Sequence, residues 1–335
     1  VWGGVLPVVI LVVAVGLPRL LDLDRFITID EPIWVRRSAD FYSDLAQGDF
    51  ANTFKKEHPG VTVMWAGSAG ILSLQLFTPD TGQSGLSPGG DTITVQNQLY
   101  RLLDALAAGR FFMVLANTLA IVLAFIYARH LLGPLAAFVG FLLIAFDPFH
   151  VAHSRLLHLD ALTSSFLLLA FLAFLSYLQR RRVSALLVSG VAVGLSGLTR
   201  STAVFIVPAI LSVAVLDAWT RRSGARRSGL LTVIWQSVWP LLVLGVVAIA
   251  IIFALWPAMW VNPVGTVAKV LEPALSQAVG GHENPLFFNG KLYPDGQFDL
   301  FSFYPITYLW RSTPVVLAGL LAAGAGLVLK RGPFK

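Results

Sequence analysis

Long apolar segments alternate with polar ones along most of this chain. Eight segments consist almost entirely of hydrophobic residues, approximately 5–18, 111–127, 131–146, 161–178, 183–198, 202–215, 230–255 and 314–329. Most of them approach the roughly 20 residues that an α-helix needs to cross about 30 Å of hydrocarbon, and the shorter ones can recruit flanking residues. The pattern predicts an all-α polytopic membrane protein with about eight transmembrane helices.

The composition agrees with a membrane protein. Hydrophobic residues make up 56% of the 335 positions and charged residues only 13%, far outside the usual range for a soluble domain. The absence of cysteine excludes disulfides, thiolate metal sites and a cysteine nucleophile. We expect a single transmembrane domain over residues 1–335. We expect it to be truncated at both ends, because the chain starts without Met inside one apolar segment and stops just after another.

Basic residues are unevenly divided between the two sets of short connections. One set contains Arg129, residues 180–182 and further arginines up to Arg227, whereas the other contains only Arg155 and Arg200. Because cytoplasmic loops are enriched in Lys and Arg, the first set is predicted to be cytoplasmic. The net charge of +6 thus has a topological cause and does not indicate nucleic acid as a partner. We expect a multi-pass protein of the plasma (inner) membrane, in contact with membrane lipids.

Alternation places two long loops, residues 21–110 and 256–313, on the extracytoplasmic side. Every acidic residue except Asp217 falls on this side. Three helices are predicted within the first loop, over residues 32–46, 61–77 and 94–109. The first two are expected to be amphipathic and to lie in the membrane interface, and the third to continue into the second span. The outer face is therefore where chemistry should be sought.

Asp30 and Glu31 follow the first apolar segment by about ten residues, where a membrane-held substrate could reach them. A carboxylate at this position can accept the proton of a hydroxyl while its oxygen attacks an anomeric carbon. In the alternative interpretation, Asp30 caps the following helix and Pro32 occupies the first turn of that helix. The catalytic interpretation is preferred because one aspartate can fill both roles.

Two further groups in the first loop could bind an anionic substrate. Lys56 and His58 lie within the segment Lys-Lys-Glu-His-Pro-Gly at residues 55–60. A lysine ammonium is a point charge that suits a phosphoryl oxygen. A solvated basic turn, or attraction to anionic lipid headgroups, explains the same residues equally well.

The segment 147–160, between the third and fourth apolar segments, is unusually polar for a membrane edge. Its three histidines and Asp160 could assemble a metal site, but they match no motif with fixed ligand spacing. The preferred interpretation is that Asp160 caps the fourth span, while Arg155 pairs with a carboxylate or with a substrate phosphate. The histidines in question are His150, His153 and His158.

Arg200 interrupts what would otherwise be one apolar stretch over residues 183–215. An arginine in mid-membrane costs about 2.5 kcal/mol or more on insertion scales. Two short spans that meet in an outer turn, with Arg200 near a phosphate, avoid this cost. His282, Asn284 and Arg311 are weaker candidates for substrate binding in the last outer loop.

In their order along the chain, these motifs resemble the GT-C glycosyltransferases. The resemblance is to glycosyltransferase family 39 in particular, the group of the dolichyl-phosphate-mannose protein mannosyltransferases and the aminoarabinose transferases. We expect the chain to depart from that family in having fewer spans and no second domain after them. The matching motifs are Asp30-Glu31, His58-Pro59, Ser154-Arg155 with Asp160-Ala161, Gly194 to Arg200, His282-Glu283-Asn284-Pro285 and Arg311-Ser312-Thr313-Pro314.

The resemblance implies an inverting enzyme. Such an enzyme moves a sugar from a polyprenyl-phosphate donor to a protein or lipid/glycan acceptor at the outer face of the membrane. It implies Asp30 as the base and Glu31 as the neighbour that positions or tunes it, without a metal or other cofactor. The residues assigned to substrate binding are Lys56, His58, Arg155, Asp160, Arg200, His282, Asn284 and Arg311.

Two other classes of protein stay open. A catalytically silent structural subunit, associated with other membrane subunits of a larger complex, could use the same fold. A transporter of a lipid-linked solute would place ionisable groups inside its spans near the midplane, where this chain has few.

Overall fold

The computed structural model describes residues 4–77, 92–96, 98–224, 230–280, 285–293 and 300–329. The chain divides into two compact units, residues 1–270 and 271–335. The α-helices of the first unit are α1 (Leu6–Leu20), α2 (Glu31–Gln47), α3 (Val61–Phe77), α4 (Leu102–Leu131), α5 (Pro134–Ala145), α6 (Pro148–Ser154), α7 (Leu159–Arg180), α8 (Val183–Thr199), α9 (Ile206–Gly224), α10 (Leu230–Leu255) and α11 (Ala258–Val261).

The boundary between the units falls within α12 (Pro263–Gly280). The second unit also contains α13 (Leu300–Arg311) and α14 (Pro314–Val328). Two short 3₁₀ turns cover Phe50–Thr53 and Ser201–Phe205. Within the described residues, four short strands form two antiparallel hairpins, β1 (Thr92–Val95) with β2 (Gln98–Arg101) and β3 (Leu286–Phe288) with β4 (Lys291–Tyr293). The chain is thus an α-helical polytopic membrane protein with little sheet.

Local signals explain several helix boundaries. Proline occupies the first turn of α5, α6 and α14, where its missing N–H is not needed. The Asp147 side chain accepts a hydrogen bond from the His150 N–H at 2.8 Å and so caps α6. Gly133 has a φ of 84° between α4 and α5, a conformation that favours glycine.

Fewer helices reach membrane length than the eight predicted spans. Among the described residues, four helices are long and apolar enough to cross a membrane, or six if two bent pairs each count as one span. α1 and α8, with 15 and 17 residues, are shorter, because at 1.5 Å per residue they cover only about 22–26 Å. Eight spans therefore stay a prediction. The four helices are Leu102–Leu131, Leu159–Arg180, Ser201–Thr220 and Val238–Leu255.

α4 is the central helix of the first unit. It packs against α1, α3, α5 and α7, and α7 in turn packs against α8, which contacts α10. The core near the start of α4 includes Trp34, Phe41, Met64, Leu106 and Leu157, all buried. This arrangement brings the start of α2, the turn before α7 and the end of α8 to one end of the bundle.

α3 has the predicted bounds but not the predicted amphipathic character. Val61, Val63 and Met64 are buried, while the exposed positions Trp65 and Phe77 are also apolar. Gly70 allows close contact with α4, since a Cβ there would lie 2.5 Å from the backbone nitrogen of Gly109. α3 is therefore apolar on all sides and packs on the bundle.

The third helix predicted in the first loop is wrong at its start. Thr92–Val95 and Gln98–Arg101 form the β1–β2 hairpin, in which Ile93 pairs with Tyr100, and the helix begins only at Leu102. The alternating pattern Thr-Ile-Thr-Val over residues 92–95 is a strand signal, with its two β-branched apolar residues buried.

Candidate active site

Three contacts connect the first loop to the turn between α8 and α9. The Gly60 N–H donates to the Thr199 carbonyl oxygen at 3.1 Å, and the hydroxyls of Thr62 and Thr199 lie 2.7 Å apart. His58 Nδ1 lies 3.1 Å from the Ser201 hydroxyl oxygen. Gly60 has a φ of 59°, and a Cβ there would lie 2.2 Å from the Trp34 ring. Glycine is required here because the Trp34 ring occupies the space of a side chain.

At this end of the bundle, four polar side chains form what we call the exposed charged cluster: Asp30, His158, Asp160 and Arg200. His158 Nε2 lies 3.4 Å from Asp30 Oδ2, and His158 Nδ1 lies 3.6 Å from Asp160 Oδ2. Arg200 donates to Asp160 in an ion pair. The Asp30 side chain is 61% exposed, whereas that of His158 is 22% exposed. The cluster therefore combines an open carboxylate with a sheltered imidazole.

The Asp30 side chain does not cap α2. Asp30 stands at the N-cap position, but its backbone is helical, with φ −87° and ψ −22°, and its side chain makes no capping hydrogen bond. Pro32 lies in the first turn, as predicted. The carboxylate is therefore free of the structural role that was the alternative to catalysis.

Asp160 also differs from its predicted capping role. His158 occupies the N-cap position of α7, and Asp160 lies in the first turn. A carboxylate there still gains from the positive end of the helix dipole, but its direct partner is Arg200. The ion pair thus connects the first turn of α7 to Arg200, which directly follows α8. The sequence had predicted a turn at Arg200.

Glu31 faces away from the exposed charged cluster and is completely buried. Arg110 donates to it from Nε at 2.7 Å and from Nη2 at 2.5 Å. The Leu157 N–H donates at 3.0 Å, and Thr28 donates from its N–H at 3.1 Å and its hydroxyl at 2.9 Å. We call these residues the buried Glu31–Arg110 cluster. It fixes the chain on both sides of the site, before Asp30 and before His158.

Hydrogen bonding keeps Glu31 ionised despite its burial. Burial raises the pKa of a carboxyl group, but the hydrogen bonds and the charge of Arg110, together with the N–H groups of Leu157 and Thr28, lower it further than burial raises it. The net pKa of Glu31 is below its ordinary value.

Sequence reasoning missed Arg110. Besides Glu31, this guanidinium donates to the carbonyl oxygens of Leu23 and Phe26 and lies 4.9 Å from the centre of the Phe26 ring. A lone arginine at the edge of an apolar segment was the available signal, since a buried guanidinium needs an anionic or carbonyl partner. Its partner Glu31, 79 residues earlier, was identifiable only in three dimensions.

The cations predicted to bind phosphate have different surroundings. Arg155 donates to the backbone carbonyls of Leu21 and Asp22, and so fixes the chain after α1. Lys56 is exposed and pairs with Glu57 at 2.8 Å. Arg200 combines partial exposure with a place in the exposed charged cluster.

His58 and Arg37 complete the charged surroundings of the cluster. Burial lowers the pKa of His58, and the positive charges of Arg200 and Lys56 lower it further. Arg37, which sequence reasoning also missed, lies 4.7 Å from the centre of the Trp34 ring and interacts electrostatically with Glu57 and Asp30. In the sequence, its position about one helical turn after Trp34 was a weak indication that the two side chains are in contact.

The remaining candidates lie elsewhere. His282 and Asn284 fall outside the described residues. Arg311 belongs to the second unit, where it lines a cavity of about 240 Å³. The other residues around this cavity, several of them aromatic, are Leu286, Phe287, Phe288, Asn289, Phe303, Ile306, Thr307 and Trp310.

The histidines of residues 147–160 have separate partners. His150 Nδ1 lies 2.9 Å from Nη2 of the buried Arg19, and His153 Nδ1 lies 2.9 Å from the Phe149 carbonyl oxygen. Within the described ranges, no group of three or more His, Cys, Asp or Glu side chains is arranged to hold a metal ion.

Residues 99–260 match the sequence model of the family described as dolichyl-phosphate-mannose-protein mannosyltransferase. The match supports a GT-C glycosyltransferase family. It covers slightly less than half of the chain and indicates a mannosyltransferase-like glycosyltransferase, without reaching the family 39 subgroup. It includes Arg110, His158, Asp160 and Arg200, whereas Asp30 precedes it. No curated protein sequence matches the chain.

Proposed function

We propose that this protein is an inverting glycosyltransferase. It moves a sugar from a polyprenyl-phosphate donor to a hydroxyl of a protein or lipid/glycan acceptor. The observation that carries the proposal is the uncapped, exposed carboxylate of Asp30 beside the Asp160–Arg200 pair, at one end of a bundle that contains membrane-length apolar helices. The similarity of residues 99–260 to a mannosyltransferase family supports the same class of reaction.

In this mechanism Asp30 accepts the proton of the acceptor hydroxyl. The freed oxygen attacks the anomeric carbon from the side opposite the phosphate, so that one displacement inverts that carbon. The bond to the phosphate oxygen breaks, and nearby cations stabilise the leaving phosphate. Arg200 is the first choice for this role because it pairs with Asp160, and Lys56 and Arg37 are further cations, since their charges, like that of Arg200, act on His58.

The site is proposed to face the extracytoplasmic side. Arg129 and His130 are in the last turn of α4, and Arg180 is in the last turn of α7, whereas the site lies at the start of both helices. An excess of basic residues marks the cytoplasmic end of a membrane helix. An outward site suits a lipid-carried donor, because such a donor is presented within the membrane leaflet.

The test is an Asp30→Asn variant of the full chain in proteoliposomes, supplied with polyprenyl-phosphate mannose carrying tritiated mannose. Proteins and lipids of the host membrane serve as acceptors. We expect transfer to fall by about 10²- to 10⁴-fold, because the hydroxyl loses its base, with thermal unfolding unchanged. The matched control is Asp22→Asn, an exposed carboxylate of the same loop paired with Arg25, which should keep full activity. Full activity of the Asp30 variant would remove Asp30 from the mechanism.

A further inference from the structure

His158 is placed between two carboxylates. Its Nε2 faces Asp30 at 3.4 Å and its Nδ1 faces Asp160 at 3.6 Å, so each ring nitrogen points to a different acid. Both distances are longer than a typical hydrogen bond, and catalytic hydrogen bonds that are long without substrate often tighten in the complex. The imidazole therefore connects the exposed Asp30 to the Asp160–Arg200 pair.

The backbone around His158 is fixed by the buried Glu31–Arg110 cluster. The Leu157 N–H donates to Glu31, and the His158 N–H donates to the Leu156 carbonyl oxygen at 2.9 Å. His158 holds the N-cap position of α7, but its side chain makes no capping hydrogen bond. The imidazole thus has no helix-capping role, while its backbone is held firmly in place.

A neutral imidazole has one N–H and one bare nitrogen. If the Nδ1 proton faces Asp160, which Arg200 already pairs, the bare Nε2 faces Asp30. The unprotonated Nε2 and the Asp30 carboxylate are then both hydrogen-bond acceptors. One added proton would allow a hydrogen bond between them. Burial lowers the pKa of His158; the negative charge of Asp30 opposes this, and the charges of Arg200 and His153 add to it. At neutral pH the imidazole is therefore available to take up a proton.

We propose that His158 receives, through Asp30, the proton that the acceptor hydroxyl loses during sugar transfer. This inference rests on the proposed function. As the acceptor oxygen bonds to the anomeric carbon, its proton passes to the Asp30 carboxylate and on to His158 Nε2. The electron pair of the broken bond leaves with the phosphate. The imidazolium then lies between two carboxylates until water or the released phosphate takes the proton at its 22% exposed side chain.

His158 acts in this scheme through Asp30, so it is a positioning and proton-accepting residue and does not itself touch the sugar. It also keeps the proton away from the acceptor oxygen after transfer begins. The charged and titratable groups around it are Asp30 before α2, His153 of α6, Asp160 of α7 and Arg200 after α8.

The test is the pH dependence of kcat/KM for His158→Gln, measured with the tritiated polyprenyl-phosphate mannose assay. Glutamine can still hydrogen-bond to Asp30 but cannot accept a proton. We expect kcat to fall about 10- to 100-fold at neutral pH, with KM for the donor nearly unchanged. Prior protonation of His158 by the medium blocks this route in the wild type, so the limb of the profile that follows the imidazole should be absent from the variant.

The matched control is His130→Gln. His130 lies about 30 Å further along α4 than Arg110, at the opposite end of the helix, and its replacement should leave both rate and profile unchanged. A His158→Gln enzyme that loses activity but keeps the wild-type pH profile would show a structural role and overturn the inference. Full activity of this variant would overturn it as well. Either result leaves Asp30→Asn as the separate test of the proposed function.

Discussion

Asp30 and Glu31 are adjacent in the chain, but they belong to two clusters with opposite surroundings. The exposed charged cluster has one open carboxylate, a partly sheltered imidazole and a partly exposed ion pair. The buried Glu31–Arg110 cluster satisfies every oxygen of its carboxylate with protein donors. The difference follows from the first turn of α2, where successive side chains point in directions about 100° apart.

The two carboxylates therefore differ in their capacity to accept a proton from a substrate. A carboxylate that already accepts five hydrogen bonds from protein groups has little capacity left for a substrate proton. An exposed carboxylate with one neighbour at 3.4 Å can accept one. We therefore propose that the reaction takes place at the exposed charged cluster and that the buried cluster positions its two chain segments.

The largest expected effect is a difference in stability between two variants, each of which replaces the arginine of one cluster. Arg110→Met leaves the Glu31 carboxylate buried without its cation, so we expect the free energy of unfolding to fall by about 3–5 kcal/mol. Arg200→Met breaks a partly exposed ion pair and should cost about 1 kcal/mol or less, while lowering transfer activity. Thermal unfolding in detergent measures the stability of each variant, and the assay with the tritiated donor measures its transfer activity. Equal losses of stability in the two variants would contradict the division between the clusters.

A smaller effect is expected at the turn that connects the first loop to Thr199. Gly60→Ala forces a Cβ into the Trp34 ring and should lower the unfolding free energy by about 1–3 kcal/mol, with a loss of activity as His58 shifts. Gly48→Ala is the matched control, because Gly48 also has a positive φ, 73°, but has open space around it. If both variants lose the same stability, the contact with Trp34 is not what fixes this turn.

The smallest expected effect is a pH dependence of stability that arises from Glu31. Because its pKa is lowered in the folded protein, Glu31 stabilises the fold above its unfolded pKa of about 4.3, and this contribution is lost as the pH falls through the folded pKa. We expect the Tm of the wild type to fall more steeply than that of Glu31→Gln between pH 5 and about pH 3. Parallel curves would mean that the ionised form of Glu31 adds no stability.

Local patterns predicted the bounds of the first two helices of the first loop well. Residues 32–46 and 61–77 were predicted, and α2 and α3 cover Glu31–Gln47 and Val61–Phe77. Proline at the start of α2 and glycine at its end, Gly48, are signals that act within a few residues. The turn at Arg200 was also recognisable, because a charge interrupts an apolar run. The β1–β2 hairpin was missed, because its strands are only four residues long.

Partner choice was much harder to predict. Arg155 was expected to pair with a carboxylate or with a substrate phosphate; in the structure it donates to the carbonyls of Leu21 and Asp22, more than 130 residues away in the chain. Asp160 was assigned to a helix cap, yet it pairs with Arg200. Hydrogen-bonding capacity is a property of each residue type, but the partner depends on which helices become neighbours.

By itself, the sequence determined the α-helical membrane class and the approximate bounds of the helices around the site, and it predicted Asp30 as a base. These follow from hydrophobic spacing, proline and glycine positions and charge, all of which act over a few residues. Only the tertiary structure decided that Glu31 is buried against Arg110, that Asp30 faces His158, and that Arg200 pairs with Asp160. The physical reason is that burial and pairing arise when distant segments pack around α4, and packing selects partners that no local pattern specifies.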